Sequence, residues 1–394
     1  MSNKKALMHA HTAYHIKQFN IDNIKLLQQL GYDVDIATCF NDDDSALSKE
    51  ALEAARKTFE DLGCQVIETA SLRKIFAISE LIKGYRQLKQ AAKENRYEIV
   101  HTQSPIGGVI CRLAMRQARK KYGTKVLYAA HGFHFFAGAP KKNWAIFYNA
   151  EKYCSKFTDI LVTINAEDFE NAKKRFKAKR VEYVPGAGVD THKFVASEGA
   201  REKIRKELNI ASDAKVLLSV GELIPRKNHM EVLEALKELK AEGFLEENKI
   251  MYLIAGRGRI MEQIQEQVKS FGLQDHVKLL GFRSDVADVF AASDVYVFPS
   301  HQEGLPVALM EAMSVGLPCI VSRIRGNVDL IKEGQGGIFF DSKDMKTLVL
   351  AIKEINAMDE ASLKNMGAYN IEVMKGFDKE TVNAKMLEIY KSMA

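Results

Sequence analysis

Two glutamates in the second half of the chain stand on either side of a turn rich in glycine and proline. Glu303 and Glu311 enclose Gly-Leu-Pro, and Phe-Pro-Ser comes just before them. An apolar run ends at Phe298 and a helical composition begins at Pro306, so the pattern predicts a strand, a sharp turn and a helix start. A helix start attracts phosphate, and carboxylates beside it can accept hydrogen bonds from sugar hydroxyls. The stretch predicts a site for a phosphorylated sugar; a capped helix with a solvated Glu is the simpler alternative.

Two adjacent cations follow another predicted strand. The run from 220 to 228 contains Gly221, which permits a turn, and then Arg226 and Lys227, which precede a predicted helix. Arg can bind a diphosphate through two parallel hydrogen bonds, while Lys acts as a point charge. The pair therefore predicts a diphosphate clamp, and surface charges at a helix start are the alternative.

Short apolar runs alternate with longer amphipathic runs along both halves of the chain. This alternation predicts parallel, doubly wound sheets, in which ligands bind outside the carboxyl ends of the strands. A joint rich in proline and glycine at 183–190 separates the halves. Strands are predicted at 5–9, 33–37, 65–67, 98–101, 125–130 and 159–163 in the first half, and at 215–220, 249–255, 277–280, 294–298 and 318–322 in the second.

Composition limits the class of protein. A length of 394 residues favours two domains, and 46% hydrophobic with 27% charged residues is ordinary for a globular chain. A net charge of +6 does not by itself indicate nucleic acid, and five cysteines without CxxC spacing argue against a disulfide framework or zinc site. The N-terminus is too polar for a signal peptide, and no apolar run reaches transmembrane length. We expect a cytoplasmic protein, with peripheral membrane association left open.

The motif Glu303-x7-Glu311, with Gly-Leu-Pro inside it and again after it, resembles that of the family 4 retaining glycosyltransferases. Arg325-Gly-Asn327 resembles a motif of the exopolysaccharide and O-antigen branch. The resemblance implies an α/β GT-B fold, in which two Rossmann-like doubly wound domains face each other across a cleft. The acceptor-binding domain would span 1–187 and include a C-terminal helix at 376–394, and the donor-binding domain would span 188–375.

The resemblance also implies roles for the candidate residues of the second half. Glu303 would hold donor-sugar hydroxyls, Glu311 would hold the ribose diol, and Ser300 would complete the floor of the site. The remaining contacts would come from the turn around Gly304, Leu305 and Val307 for the β-phosphate, from Gly221, Arg226 and Lys227 for the diphosphate, and from Arg257 for the base or phosphate. Phe282 and Arg283 would flank a uracil, often through backbone groups.

In the first half, the resemblance places His131 at the strand end that faces the donor sugar. The residues expected to line the acceptor side are Phe133, His134, Phe135 and Phe136, with an aromatic plug between domains as the alternative. After the first strand the family's glycine-rich turn is missing, and His9, His11 and His15 stand there instead. A metal cluster is conceivable by composition, but the resemblance implies none. We favour a loop facing acceptor or phosphate, with His15 as the best candidate.

The expected reaction is transfer of a hexose or N-acetylhexosamine from a nucleotide diphosphate sugar to a hydroxyl of a lipid-linked glycan, with a UDP-sugar favoured. The catalytic residues would be Glu303, His131, Arg226 and Lys227, and family membership implies retention of configuration. No cofactor or metal is expected, because the cations and turn amides can stabilise the leaving diphosphate. The run 42–44 is Asp-Asp-Asp and has the composition of a divalent metal site, but it falls in a predicted surface loop.

Other functions remain open at this point. A GT-B-fold epimerase would need the nucleotide clamp but no acceptor site. A non-catalytic nucleotide-sugar-binding subunit is a further alternative, although the intact glutamate pair and the two cations argue against it. An NAD dehydrogenase is disfavoured because the first βα turn has no G-x-G-x-x-G.

Basic residues cluster in two places of the first half. Arg112, Arg116 and Lys120 share four-residue spacing, so one helix face is predicted to carry them, with Arg119 and Lys121 beside it. The second cluster comprises Lys173, Lys174, Arg175, Lys177, Lys179 and Arg180. A solvated surface is the usual explanation of such runs; contact with anionic lipid headgroups is the alternative hypothesis.

Overall fold

The computed structural model describes residues 4–40, 49–70, 72, 74 and 76–394. The chain divides into two compact units, Met1–Ala187 with Glu380–Ala394, and Gly188–Lys379. It passes into the second unit at Gly188 and returns to the first at Glu380, so the last helix packs with the N-terminal part of the chain.

Parallel strands in the order β3-β2-β1-β4-β5-β6-β7 form the sheet of the first unit. The order reverses between β1 and β4, and doubly wound sheets bind ligands at such a point. Ala6 and Met8 belong to one hydrophobic core and Leu7 to another, so each face of the sheet carries its own core. The strands are β1 Lys4–His9, β2 Tyr32–Thr38, β3 Gln65–Glu68, β4 Ile99–Gln103, β5 Lys125–Ala130, β6 Ile160–Thr163 and β7 Arg180–Tyr183.

The helices of the first unit connect these strands in the βα alternation that the apolar runs predict. The last helix of the chain adds Val382, Met386 and Tyr390 to the core that contains Ala6. The helices are α1 Ala13–Phe19, α2 Ile21–Gln29, α3 Lys49–Asp61, α4 Ile78–Asn95, α5 Pro105–Tyr122, α6 Lys141–Asn143, α7 Asn149–Cys154 and α8 Ala166–Arg175, and the π-helical turn Trp144–Tyr148 joins α6 to α7.

The second unit has a parallel sheet of its own, in the order β10-β9-β8-β11-β12-β13, with the reversal between β8 and β11. Its strands are β8 Lys215–Val220, β9 Ile250–Ala255, β10 Val277–Gly281, β11 Val295–Phe298, β12 Cys319–Ser322 and β13 Gly337–Phe340. Its helices are α9 Ala200–Glu207, α10 His229–Ala241, α11 Phe244–Glu247, α12 Met261–Ser270, α13 Val286–Ala291, α14 Val307–Ser314, α15 Asn327–Leu330, α16 Met345–Ala357 and α17 Glu360–Met374, and α18 Lys379–Lys391 is the helix that returns to the first unit. Among the helices that the structure describes, none is long and apolar enough to cross a membrane.

The first residues of two helices, α14 and α1, differ from the predictions. Pro306 is not the first residue of α14 but the residue before it, with extended backbone angles of φ −80° and ψ 112°. The histidine-rich segment after β1 is not a loop up to His15, because the Thr12 hydroxyl accepts a hydrogen bond from the His15 N–H and starts α1. The strands β7 and β13, of four residues each, are missing from the prediction.

Arg112 contradicts the prediction of a basic face on α5. Its guanidinium is fully buried, forms an ion pair of 2.7 Å with Glu151 and lies 3.8 Å from the ring centre of Tyr128. A four-residue step turns a helix by about 40° more than one turn, so Arg112 points into the protein whereas Arg116 and Lys120 have rotated to the surface. The first residue of the predicted patch is therefore a structural ion pair.

Replacing Arg112 by Ala is expected to lower the free energy of unfolding of the first unit by about 3–5 kcal/mol, because the Glu151 carboxylate would be buried without its partner. Urea unfolding followed by the fluorescence of Trp144, the single tryptophan, measures this. Lys120→Ala, on the exposed side of the same helix, is the control and should change stability by less than about 0.5 kcal/mol. Equal midpoints for the two variants would contradict the buried pair.

Candidate active site

The turn before α14 brings three predicted residues into direct contact. One carboxylate oxygen of Glu303 accepts hydrogen bonds from Arg226 Nη1 and Lys227 Nζ, each at 2.8 Å. Arg226 also donates to the carbonyl of Gln302 at 2.6 Å, and its own carbonyl accepts from the His301 N–H at 2.9 Å. The side chain of Glu303 is only 10% exposed, so the two cations stabilise a largely buried carboxylate.

The two cations are positioned by the turn that follows β8. Pro225–Lys227 forms a single 3-10 turn, and Asn228 after it adopts φ 58°, which directs the chain into α10. Lys227 Nζ lies 4.9 Å from the ring centre of Phe298 at the end of β11. A cation–π contact and an ion pair together therefore direct this lysine towards the loop that follows β11.

Glycines allow the neighbouring strand ends to approach one another. Gly221, after β8, donates to the Ala255 carbonyl at 3.0 Å, and Gly256 donates to the Gly281 carbonyl at 2.7 Å. Gly256 has φ 157°, and a Cβ there would overlap the Gly221 carbonyl. The turns after β8, β9 and β10 are thus linked through their backbones, and any side chain at Gly256 would separate them.

Arg257 and Phe282 contact each other at this edge of the sheet. The guanidinium carbon lies 5.6 Å from the ring centre of Phe282, and the ring is 66% exposed. Arg283 points elsewhere, because it pairs with Glu207 and Asp285, each at 2.6 Å. Of the two residues predicted to flank a base, Phe282 exposes its side chain, while acidic partners hold the side chain of Arg283.

A second layer of polar contacts supports the Glu303 loop. Arg325 is 8% exposed and donates to the Glu303 carbonyl at 3.3 Å, while Asn327 donates to the Ser322 carbonyl at 2.9 Å. Ser322 in turn donates to the Ser300 carbonyl at 2.5 Å. The Arg-Gly-Asn motif, whose role the sequence left unassigned, therefore braces the loop that carries Glu303.

Ser300 lies at the base of this loop and is completely buried. Within the part of the chain that the structure describes, its hydroxyl has no hydrogen-bond partner. A buried hydroxyl without a partner costs free energy unless a ligand or water satisfies it. The hydroxyl of Ser300 thus has an unused hydrogen bond, and its role in the floor of the site stays a prediction.

The start of α14 supplies the remaining predicted groups. Val307 opens the helix, and the N–H groups of the first helical turn have no intrahelical partner. Gly304 and Leu305 precede it, and the Leu305 side chain is buried. Glu311, one turn further, is half-buried; burial raises its pKa to about 7, although Lys193 opposes this rise. Its carboxyl group therefore changes charge close to neutral pH.

In the first unit, a single carboxamide connects the predicted histidines. Gln103 Oε1 accepts from His131 Nε2 at 2.6 Å and from His15 Nε2 at 2.9 Å, and the two rings meet edge to face at 4.7 Å. Gln103 Nε2 lies 3.1 Å from His101 Nε2, and His101 Nδ1 lies 2.6 Å from the Tyr390 hydroxyl. The network therefore joins α1, β4, the turn after β5 and α18.

The histidines of this network are neutral at physiological pH. Burial, together with the neighbouring His11, lowers the pKa of His15 to about 4, and burial and the adjacent His15 hold that of His131 well below its usual range. Because Gln103 Oε1 can only accept, both rings carry their proton on Nε2 and keep Nδ1 as the acceptor. Nothing in the sequence pattern pointed to Gln103, since its partners are distant in the chain.

Two of the aromatic residues predicted to line an acceptor site lie in the core instead. Phe133 and Phe135 are 3% and 0% exposed and stack at 4.7 Å between ring centres. They pack with Trp144, Tyr148 and Phe176, so the prediction was wrong for them. His134 does line an open cavity of 740 Å³, whose other lining residues are His11, Leu72, Lys74, Phe76, Ala77, Ser104, Pro105, Ile106 and Phe147.

Metal ligands were considered at two places in the sequence. The Asp-Asp-Asp run at 42–44 lies outside the described residues. Over 4–40, 49–70, 72, 74 and 76–394, no group of three or more His, Cys, Asp or Glu side chains is arranged to hold a metal ion.

Comparison with known proteins decides the family. The chain matches the model of group 1 glycosyl transferases over residues 200–373 and that of 4-like glycosyl transferases over residues 4–165. EpsD of Bacillus subtilis (strain 168), which bears the name of a glycosyltransferase, is 32% identical over 391 residues, covering 99% of this chain and 97% of EpsD. The chain belongs to the family 4 type of glycosyltransferases.

Two further matches agree with this assignment. A UDP-Gal:alpha-D-GlcNAc-diphosphoundecaprenol alpha-1,3-galactosyltransferase of Escherichia coli is 29% identical over 324 residues, which is 82% of each chain. The structure of Anabaena HepE in complex with UDP and glucose superimposes with a TM-score of 0.75 at 18% identity, over 99% of this chain and 100% of HepE. The expected GT-B fold and the glycosyltransferase class are therefore confirmed.

In this glycosyltransferase, Gln103→Glu is expected to raise the pKa of His131 and His15, because a carboxylate would replace the neutral oxygen that contacts both rings. Imidazole ¹⁵N shifts of histidine-labelled protein between pH 5 and 8 report both charge and tautomer. The parent protein should keep both rings neutral with the proton on Nε2, whereas the variant should form imidazolium as the pH falls. The control is Gln117→Glu, an exposed position on α5. A His131 that titrates above pH 6 in the parent protein would refute the network.

Proposed function

We propose that the chain is a retaining glycosyltransferase that moves a hexose or N-acetylhexosamine from a UDP-sugar to a hydroxyl of a lipid-linked glycan in surface polysaccharide synthesis. The observation that carries this proposal is the convergence of Arg226 and Lys227 on Glu303 just before α14. Two cations and one carboxylate leave a net positive charge of one beside a helix start, which suits a diphosphate.

These positive charges act on the leaving group of the reaction, which is the diphosphate. As the glycosidic bond stretches, negative charge develops on the departing diphosphate, and Arg226, Lys227 and the first-turn N–H groups of α14 stabilise it. Groups fixed before the reaction need little reorganisation, and the contacts of Arg226 with Gln302 and of Lys227 with Phe298 hold both cations in place. In this proposal the protein supplies the positive charge that a divalent metal supplies in other transferases.

In this proposal, the neighbouring groups bind the sugar and the nucleoside. Glu303 accepts hydrogen bonds from donor-sugar hydroxyls, Glu311 accepts from the ribose diol, and Arg257 with Phe282 meets the uracil. The preference for UDP is supported by the UDP complexes of HepE and by the UDP-galactose donor of the Escherichia coli relative. The same relative acts on a diphosphoundecaprenol-linked sugar, which supports a lipid-linked acceptor.

Retention of configuration is proposed to follow a same-face route. The leaving phosphate accepts the proton of the acceptor hydroxyl as that oxygen attacks the same face of the sugar, so no covalent sugar–enzyme bond is required. His131, neutral and protonated on Nε2, offers Nδ1 as an acceptor for a sugar hydroxyl. We propose that the reaction takes place in the cytoplasm, at the inner face of the membrane that holds the acceptor.

Glu303→Gln is expected to reduce turnover by about 10²–10³-fold, because the neutral amide no longer holds the two cations or the sugar hydroxyls. Lys227→Ala should reduce turnover similarly and also weaken UDP binding. Release of UDP from a panel of UDP-sugars, in EDTA and with a crude lipid extract, measures both variants. The controls Glu234→Gln and Lys364→Ala change exposed residues on α10 and α17.

Product analysis in the same assay separates the alternatives. A transferase forms a glycolipid only when acceptor is present, whereas an epimerase converts the UDP-sugar without acceptor, and a binding subunit releases no UDP at all. Full activity in both Glu303→Gln and Lys227→Ala would show that the site lies elsewhere.

The affinity for UDP-glucose is expected to rise by up to about tenfold between pH 6 and pH 8, because Glu311 loses its proton near pH 7 and a carboxylate accepts stronger hydrogen bonds than a carboxylic acid. The phosphates of UDP-glucose do not titrate in this range, so Glu311 is the group followed. Isothermal titration calorimetry gives the dissociation constants. Glu311→Gln should flatten the dependence; a slope that persists in this variant would exclude contact of Glu311 with the ribose.

A further inference from the structure

One face of α4 is apolar at its start and basic at its end. Ile78, Ile82, Arg86, Lys89 and Lys93 are separated by steps of four, four, three and four residues, so at about 100° per residue they form a single stripe along the helix. All five are exposed. The opposite face holds the buried residues Gly84, Leu88, Ala91 and Ala92. The stripe is therefore the solvent-facing side of the helix.

The apolar end of this stripe is unusually exposed. Ile78 and Ile82 are 64% and 46% exposed, and Phe76, two residues before the helix, is 92% exposed. Single exposed apolar residues are ordinary, but three large ones in seven positions form a patch of the kind that marks an interaction site. Phe76 also lines the 740 Å³ cavity that contains His134.

The basic end of the stripe continues into a groove between α4 and α5. Arg86, Lys89 and Lys93 line this groove of 440 Å³ together with Lys121 of α5. None of these four cations forms an ion pair with an acidic residue in the part of the chain that the structure describes. The acidic residues of α4, Glu80 and Glu94, lie about 100° or more from the middle of the stripe, and Glu94 accepts a hydrogen bond from Gln90.

We propose that this stripe of α4 docks on an anionic lipid bilayer, with Phe76, Ile78 and Ile82 entering the headgroup region and Arg86, Lys89, Lys93 and Lys121 meeting the lipid phosphates. Apolar and basic groups on one helix face match the two parts of a membrane interface. Single-stranded nucleic acid instead requires aromatic rings for stacking among the cations, and this stripe has one aromatic and two aliphatic side chains.

This surface differs from the α5 cluster for which lipid contact was the alternative hypothesis, and it shares only Lys121 with that cluster. Arg112 is buried against Glu151, and Arg119 donates to both carboxylate oxygens of Asp159 at 2.7 and 3.1 Å. In the second basic cluster, Lys174 and Lys179 pair with Glu170 and Asp159. Within the described part of the chain, Arg86, Lys89 and Lys93 form no ion pair. They also continue the exposed apolar patch of Phe76, Ile78 and Ile82 along the same helix.

Docking would also place the cavity of His134 beside the lipid, because Phe76 belongs to both surfaces. A lipid-linked acceptor could then enter the cavity from the bilayer without leaving it completely. This last step depends on the proposed function, whereas the docking itself does not.

Flotation of the full chain with vesicles tests the proposal. Binding is expected to vesicles containing 30% phosphatidylglycerol but not to pure phosphatidylcholine, and to weaken at 0.5 M NaCl, where charges are screened within about 4 Å. Each cation near the bilayer surface raises the membrane binding constant roughly fivefold. The triple variant Arg86→Gln, Lys89→Gln and Lys93→Gln should therefore bind vesicles about 100-fold more weakly. Phe76→Ser, Ile78→Ser and Ile82→Ser together should abolish it at physiological salt.

Matched controls separate this surface from charge in general. Lys173→Gln, Lys174→Gln and Lys177→Gln remove the same charge from the second basic cluster, and Val195→Ser with Leu350→Ser removes apolar residues that are 76% and 63% exposed in the second unit. Both controls should bind vesicles as the parent does. Three outcomes would each overturn the proposal: equal losses of binding in the controls, binding to neutral vesicles, or no binding of the parent chain to any vesicle. In the third case, an acidic protein would be the remaining partner for this surface. UDP-glucose affinity is measured in the same variants and should be unchanged, which separates failure of docking from failure of the donor site.

Discussion

The Glu303 carboxylate, shared by two cations, is the interaction on which the candidate site depends. A carboxylate that is 10% exposed requires charge partners, and Arg226 and Lys227 supply them to one oxygen atom. The contact joins the turn after β8 to the loop after β11, the two strands between which the sheet order reverses. The residue proposed to bind the sugar thus also sets the position of the cations proposed to bind the diphosphate.

The surrounding loops are held by backbone contacts that require particular residues. Gly221 and Gly256 allow the turns after β8 and β9 to touch, and Arg325 connects the Glu303 carbonyl to the turn after β12. Each strand end is therefore fixed by its neighbour and not by its own turn alone. This explains why a site built from short loops can hold charged side chains in one arrangement before any substrate binds.

Much of the second-unit site could be predicted, because strand, turn and helix patterns are local and parallel strands end at one edge. Glu303, Arg226 and Lys227 were located by that rule, and the structure brings them together. The direction in which a side chain points could not be predicted. Arg283 follows a strand as expected, and its side chain pairs with Glu207, which lies far away in the sequence. Phe133 and Phe135 were misplaced for the same reason, since an aromatic residue after a strand can turn into the core as easily as towards a ligand.

The first unit shows more clearly what a local pattern leaves out. Gln103 gains its role only because β4 brings it next to His131 and His15, residues that no spacing rule connects to it. The same limit applies to charge. Arg112 on α5 and Arg86 on α4 both belong to basic runs with helical spacing, but α5 lies between α4 and α7 and meets Glu151. The stripe of α4, in contrast, is exposed, and no helix that the structure describes covers it. Whether a basic helix stabilises the core or meets a partner is decided by its position in the layer, so the count of lysines and arginines carries no information about binding until that position is known.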